Sequence, residues 1–131
     1  LKKTGFFGGG PDTFSLIFPQ EDNFGKRIAY GNPSMIVDKP HNLYLQIIIN
    51  MGYLFFIGFV VFVGSYLIHS IKIYRNKKID GFYEVVGLST ALAITGYLAA
   101  GMFNDSAVSV APYFWFFMGL GIAINKILEK N

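Results

Sequence analysis

The residues best suited to chemistry lie close together between positions 41 and 50 of this sequence. His41 is followed directly by Asn42, and side-chain amides then recur at every fourth position, at Gln46 and Asn50. An imidazole titrates near neutrality and can accept a proton from a hydroxyl group, and amides can hydrogen-bond the hydroxyl groups of a sugar substrate. Spacing by four places the three amides on one face of a helix. An interfacial helix whose polar side meets lipid headgroups would show the same pattern.

The elements that must position these residues have the composition of a membrane protein. Hydrophobic residues make up 53% of the sequence and charged residues 15%, whereas a soluble domain has about 25% charged residues. Three apolar runs are long enough to cross a bilayer as helices, at about residues 51–71, 82–103 and 108–127. We therefore expect an all-α polytopic membrane protein. Its membrane region, residues 43–131, contains the three transmembrane helices and follows an ordered extracytoplasmic loop with short helices, residues 1–42.

Basic residues predict the orientation of the three spans. The connection between the first two spans is basic and contains Lys72, Arg75, Lys77 and Lys78. The connection between the second and third spans, residues 104–107, has no basic residue. By the positive-inside rule, the basic connection and the C-terminus are cytoplasmic. His41 and Asp105 are then expected on the same, outer side of the membrane.

Glycines and other small residues indicate where the backbone turns and where helices pack. A helix over residues 43–71 would be roughly 43 Å long, too long for one upright span, so we expect Gly52 to break it. Residues 8–10, all glycine, do not follow the order of a nucleotide-binding loop and are predicted to form a tight turn. A ridge of small residues on the second span is predicted to pack against another helix. It consists of Ser89, Ala93, Gly96 and Ala100.

A longer pattern connects the histidine to the predicted helix break. His41 and Asn42 are followed by nine residues and then by Gly52. Two further residues separate Gly52 from Phe55. This order resembles the motif of the O-antigen ligase family, which has a histidine, then Asn, Ser or Gln, nine residues, a glycine, two residues and then Gly, Thr or Tyr. Phe55 departs from the last place of that motif.

The resemblance extends over most of the chain. It starts at residues 8–14, continues through residues 18–20, is strongest at residues 37–46 and then covers the spans. The family consists of bacterial polytopic membrane proteins that act on undecaprenyl-diphosphate-linked glycans. The resemblance implies that the chain lies in the bacterial cytoplasmic membrane. We expect it to be the C-terminal fragment of a longer protein and to be inactive alone.

The resemblance also implies a reaction, an inverting glycosyl transfer at an outward-facing site without a metal or other cofactor. A glycan would leave an undecaprenyl-diphosphate carrier and join a hydroxyl of an acceptor glycan or glycolipid, with His41 activating or orienting that hydroxyl. Lys39, Arg27 and Lys26 are the cations expected to assist the diphosphate. Asp105 is expected to line the same cavity as His41. Ligase and polymerase activities both fit this reading.

Two other classes of membrane protein compete with a glycosyltransferase. A transporter or flippase segment of a polysaccharide export system would use the amide stripe to line a substrate path, although transporters place polar groups near the bilayer midplane. A purely structural membrane subunit would leave His41 unexplained. The net charge of +3 is small and dispersed, which argues against nucleic acid as a partner.

The orientation can be tested directly because the chain contains no cysteine. An Asn76→Cys variant should stay unlabelled when intact cells are treated with a membrane-impermeant thiol reagent, because residue 76 lies in the basic connection. An Asn104→Cys variant is the matched control and should be labelled. Labelling at position 76 from outside would reverse the predicted orientation.

Overall fold

The computed structural model describes residues 6–76 and 78–130, in which helices are joined by loops and no strand occurs. Residues 1–5 of the predicted loop, Lys77 of the basic connection and Asn131 lie outside the described residues. The helices within these ranges are α1 (Phe14–Ile17), α2 (Asn23–Tyr30), α3 (Leu43–Asn76), α4 (Phe82–Ala100) and α5 (Ala111–Lys130). The prediction of an all-helical fold, with short helices ahead of three long apolar ones, is confirmed. α3, α4 and α5 are each long and apolar enough to cross a membrane, which indicates a multi-pass membrane protein.

The connection between α4 and α5 is longer than the sequence suggests. α4 ends at Ala100, three residues before the predicted span ends. Just beyond this end, the carbonyl of Gly101 accepts a hydrogen bond from the N–H of Leu43 (2.8 Å) at the start of α3. α5 begins at Ala111 and is displaced by three residues towards the C-terminus. Pro112, which has no N–H to donate, fits in the first turn of this helix.

The core of the bundle lies where α3 crosses the pair formed by α4 and α5. α4 and α5 contact each other most extensively, and α3 packs against both. The buried apolar residues of this core are Phe59, Val63, Tyr66, Ala91, Ile94, Phe114 and Met118. Outside the core, most of the apolar surface is uncovered, since only 22% of the most apolar window of α3 is buried. A surface this apolar is typical of helices that face lipid.

The packing face of α4 differs from the predicted one. The residues of the predicted ridge are all exposed, namely Ser89, Ala93, Gly96 and Ala100. α4 instead buries Gly87, Thr90, Ala91 and Ile94. The prediction was wrong because glycine at position 87 leaves room for an aromatic ring. The hydroxyl of Tyr74 on α3 occupies the space that a Cβ at Gly87 would need.

α3 is broken at Gly52, as predicted. Gly52 has φ 88° and ψ 172°, a conformation open in practice to glycine alone. The break exposes the carbonyls of Ile49 and Asn50, which accept hydrogen bonds from the N–H groups of Gly9 (2.8 Å) and Gly10 (2.9 Å). The backbone around Gly8 therefore lies directly on the break, and a Cβ at Gly8 would stand 2.6 Å from the carbonyl oxygen of Asn50. The three glycines do more than form a turn, since they complete the hydrogen bonding of a broken helix.

Substitution at the break should destabilise the bundle. Gly52→Ala adds a Cβ that would collide with the backbone of Phe6 and Gly8 and forces alanine into a conformation that costs about 1–3 kcal/mol. We expect a lower midpoint of thermal unfolding in detergent. Gly58→Ala is the matched control on the same helix, because nothing lies within 4 Å of its Cβ position. Equal unfolding midpoints for the two variants would contradict this account.

Candidate functional site

The N-terminus of α3 is tied to the turn that follows α4. The side chain of Asn42 accepts a hydrogen bond from the N–H of Leu45 (3.0 Å) and donates one to the carbonyl of Met102 (2.7 Å). Asn42 is therefore the N-cap of α3 and also a bridge to the turn. The bond between the N–H of Leu43 and the carbonyl of Gly101 adds a second tie at the same place. These contacts fix which residues of the turn stand opposite His41.

A third tie comes from the next amide along the helix face. The side-chain oxygen of Gln46 accepts a hydrogen bond from the N–H of Ser106 (2.7 Å). The hydroxyl of Ser106 in turn lies 3.1 Å from the hydroxyl of Tyr97 on α4. Neither hydroxyl was predicted as a site residue, because the sequence gives no sign that Tyr97 and Ser106 contact each other. Asn42 and Gln46 therefore hold the fold together at this end of the bundle.

Three of the predicted site residues come together beside these ties. The Nζ of Lys39 lies 3.5 Å from one carboxylate oxygen of Asp105, and the Nδ1 of His41 lies 3.5 Å from the other. We call these three residues the Asp105 cluster. Asp105 is largely covered, with 16% of its side chain exposed, whereas the Lys39 and His41 side chains are more than half exposed. A shielded carboxylate thus holds two accessible basic groups side by side.

His41 reaches the cluster through an unusual backbone conformation. Its φ of 45° lies in the left-handed region, which few residues other than glycine adopt. This conformation falls between Pro40 and the N-cap Asn42, where the chain changes from an extended segment to a helix. Strained backbone of this kind occurs often at functional positions.

A mostly apolar cavity of about 280 Å³ opens next to the ties. Gln46 and Asn50 line it, together with aromatic residues that include Tyr97, Phe114 and Trp115. Ile47 lines the same cavity, although the four-residue spacing of the amides would place it on another part of the helix face. Ile47 is adjacent to Gln46 and three residues before Asn50, so all three lie on neighbouring parts of the helix surface.

A second cavity of about 330 Å³ includes Asp105 in its lining. Leu43 and Tyr97 line both this cavity and the first one. His41 contacts Asp105 directly but is not part of the described lining of either cavity, so the expectation that the two residues line one cavity stays a prediction. Asn42 lies outside the lining that the described residues form around either cavity, because its side chain is used at the N-cap.

The other two predicted cations lie elsewhere. Lys26 is buried in α2, and its Nζ donates a hydrogen bond to the carbonyl of Met35 (3.1 Å). Arg27 is exposed on α2, a helix that packs against no other helix in the described ranges. The structure does not bring either residue to the Asp105 cluster in the part of the chain that it describes. Their predicted contribution to diphosphate binding stays a prediction.

Polar residues outside the predicted site meet at the opposite end of the bundle. The hydroxyl of Tyr74 donates to the side-chain oxygen of Asn125 (2.8 Å), and the amide of Asn125 donates to the hydroxyl of Ser70 (2.8 Å). His69 lies 3.2 Å from the carboxylate of Glu129. These contacts link α3 to α5 and satisfy one another, which is typical of interhelical hydrogen bonds in membranes.

No protein-family model, curated protein or solved structure matches this chain. Among the described residues, no three His, Asp or Glu side chains form a group that could hold a metal ion. The metal-free reaction scheme stays a prediction.

The structural role of Gln46 predicts a local effect of its removal. Gln46→Leu leaves the N–H of Ser106 without its acceptor, a loss worth about 1–3 kcal/mol for a buried donor. Hydrogen–deuterium exchange at the Ser106 amide should become about 5- to 150-fold faster if that free energy controls local opening. Ile47→Leu is the control from the same cavity wall and should leave this exchange rate unchanged. Unchanged exchange in Gln46→Leu would show that the tie does not hold the turn.

Proposed function

We propose that this chain belongs to a membrane glycosyltransferase of the O-antigen ligase or polysaccharide polymerase type. The enzyme would move a glycan from an undecaprenyl-diphosphate carrier to a sugar hydroxyl of an acceptor. The observation that carries the proposal is the Asp105 cluster, in which His41 and Lys39 share one shielded carboxylate. It supplies a base and a cation, the two groups that this transfer requires, at one end of an apolar bundle.

His41 is the proposed base. Its Nδ1 faces Asp105, so Nε2 is the nitrogen left to accept the proton of the acceptor hydroxyl. The hydroxyl oxygen attacks the anomeric carbon as the bond from that carbon to the carrier phosphate breaks. The bonding electrons leave with the diphosphate, the proton goes to His41, and the anomeric configuration is inverted. Asp105 orients the imidazole, as a carboxylate partner does for other catalytic histidines.

Lys39 is the proposed cation for the leaving group. Negative charge grows on the diphosphate as the glycosidic bond breaks, and a fixed cation stabilises that charge. The contact with Asp105 positions the ammonium, while half of the side chain stays exposed and available to a phosphate oxygen. Arg27 remains the second candidate, because a guanidinium can bind phosphate through two parallel hydrogen bonds. Further cations from a longer chain would fit the same scheme.

The proposed location is the outer face of the bacterial cytoplasmic membrane. Lys72 and Arg75 in the last turns of α3, and Lys78 in the connection to α4, lie at the end of the bundle opposite to the Asp105 cluster. Basic connections are retained in the cytoplasm, so the cluster would face outward. Carrier-linked glycans would then reach the cluster from the outer leaflet, and Gln46 and Asn50 would contact them in the adjacent cavity.

A transporter segment is the alternative function, and the broken helix at Gly52 is the feature in its favour. In transporters, carbonyls freed at such breaks coordinate ions or substrate. Here the carbonyls of Ile49 and Asn50 are occupied by the N–H groups of Gly9 and Gly10. This occupation favours a structural break over an ion site, and so favours the enzyme.

Replacing the two histidines separately tests the proposal in the full-length protein. His41→Ala should lower glycan transfer by about 10²–10⁴-fold at unchanged membrane abundance, because the reaction loses its base. His69→Ala is the matched control, since His69 contacts Glu129 at the other end of the bundle, and it should retain transfer. Near-normal transfer by His41→Ala would remove this residue from the mechanism. Loss of transfer in both variants would point to a general effect on the fold.

A further inference from the structure

In the segment ahead of the membrane helices, the polar side chains of Gln20 and Lys26 turn inward while several large apolar side chains are exposed. Gln20 lies at its centre, where its side-chain nitrogen donates to the carbonyls of Ser15 (3.2 Å) and Val37 (2.7 Å). The side-chain oxygen of Gln20 accepts from the N–H of Val37 (3.2 Å). This one side chain joins α1 to the extended stretch after α2. Lys26 of α2 donates to the carbonyl of Met35 in the same stretch, so residues 14–37 form a single unit. We call it the 14–37 unit.

α2 shows the inversion most clearly. Its lysine, Lys26, is 6% exposed and donates to the carbonyl of Met35. Phe24 and Ile28, spaced by four, are 78% and 71% exposed. At about 100° per residue, Arg27 lies on the flank of the Phe24 and Ile28 face, and Lys26 lies on the opposite side. A helix in water would place the lysine outward and the apolar pair inward.

The rest of the 14–37 unit continues the same apolar surface. Leu16 in α1 and Ile36 after α2 are also among the most exposed large apolar side chains of the chain. Because Gln20 joins the stretches that carry these residues, their side chains belong to one folded unit. A protein segment surrounded by water would leave few such side chains uncovered together.

Both ends of the 14–37 unit are fastened to one end of the membrane helices. Before it, Gly9 and Gly10 donate to the carbonyls at the break in α3. After it, Lys39 contacts Asp105 in the turn between α4 and α5. The unit is therefore held close to where long apolar helices end, which is the level of the lipid headgroups and the first acyl carbons.

We propose that the 14–37 unit is a membrane-surface anchor whose α2 lies flat in the lipid interface. Phe24 and Ile28 enter the boundary between headgroups and acyl chains, which in-plane amphipathic helices penetrate by about 5–10 Å. Arg27 lies at the edge of the same face and binds headgroup phosphate through its guanidinium. Lipid is favoured over a protein partner because the unit is fastened beside helices whose own surface is apolar and uncovered. This inference is independent of the reaction proposed above.

Site-specific labels on α2 test this anchor in the full protein reconstituted in nanodiscs of phosphatidylethanolamine and phosphatidylglycerol. Phe24→Cys and Ile28→Cys each place the only thiol of this chain on the exposed apolar face. Ala29→Cys is the matched control, since Ala29 is exposed on the same helix but points about 100° or more away from both. Each variant carries an environment-sensitive fluorophore and is quenched in turn by lipids with a nitroxide near the headgroup and by iodide in the water.

The anchor predicts several-fold stronger lipid quenching at positions 24 and 28 than at position 29, with the opposite order for iodide. Strong iodide quenching at all three positions would show that the face is in water and would overturn the proposal. Protection from both quenchers at positions 24 and 28 would show that protein covers the face, and would overturn it as well. All three labels lie at exposed side chains, so the comparison does not depend on a substitution in the core.

Discussion

Two backbone carbonyls at the break in α3 impose the constraint on which the rest of this structure depends. A helix that breaks in an apolar environment must find new donors for the carbonyls it frees, because lipid offers none. The N–H groups of Gly9 and Gly10 provide them. The break separates the direction of the first part of α3 from that of the remainder. It thereby allows Asn42 and Gln46 to meet the turn after α4 while the core is formed farther along.

The bundle is held by polar contacts at both ends and by apolar packing between them. At one end Gln46 binds the N–H of Ser106, and at the other Asn125 connects Tyr74 with Ser70. Between α3, α4 and α5 in lipid, apolar packing has no hydrophobic driving force of the kind found in water, so such hydrogen bonds and close contacts carry more of the specificity. The exposed site residues thus stand on an end of the bundle whose geometry is fixed.

The sequence predicted what depends on length, period and local conformation. The three long helices and the break at Gly52 follow from apolar run length and from the properties of glycine. Contacts between distant segments could not be predicted from the sequence. The bridge formed by Asn42 and the burial of Lys26 both depend on how loops pack. The predicted packing ridge that starts at Ser89 was wrong, because small residues occupy two faces of α4. The aromatic side chains of the neighbouring helices decide which of the two faces packs. The sequence placed His41 and Asp105 on one side of the membrane and predicted a shared cavity, but it did not predict the direct contact between their side chains.

One carboxylate is shared by an imidazole and an ammonium group, which has an electrostatic consequence. With a neutral imidazole, the charges of Lys39 and Asp105 cancel and the cluster is neutral. Once the imidazole takes up a proton, the same three side chains carry one net positive charge. The net charge of the cluster therefore changes from zero to plus one only when the imidazole gains a proton. In the proposed reaction the cluster would be uncharged towards the acceptor hydroxyl at the start and would attract an anionic product group at the end, beside a largely covered carboxylate.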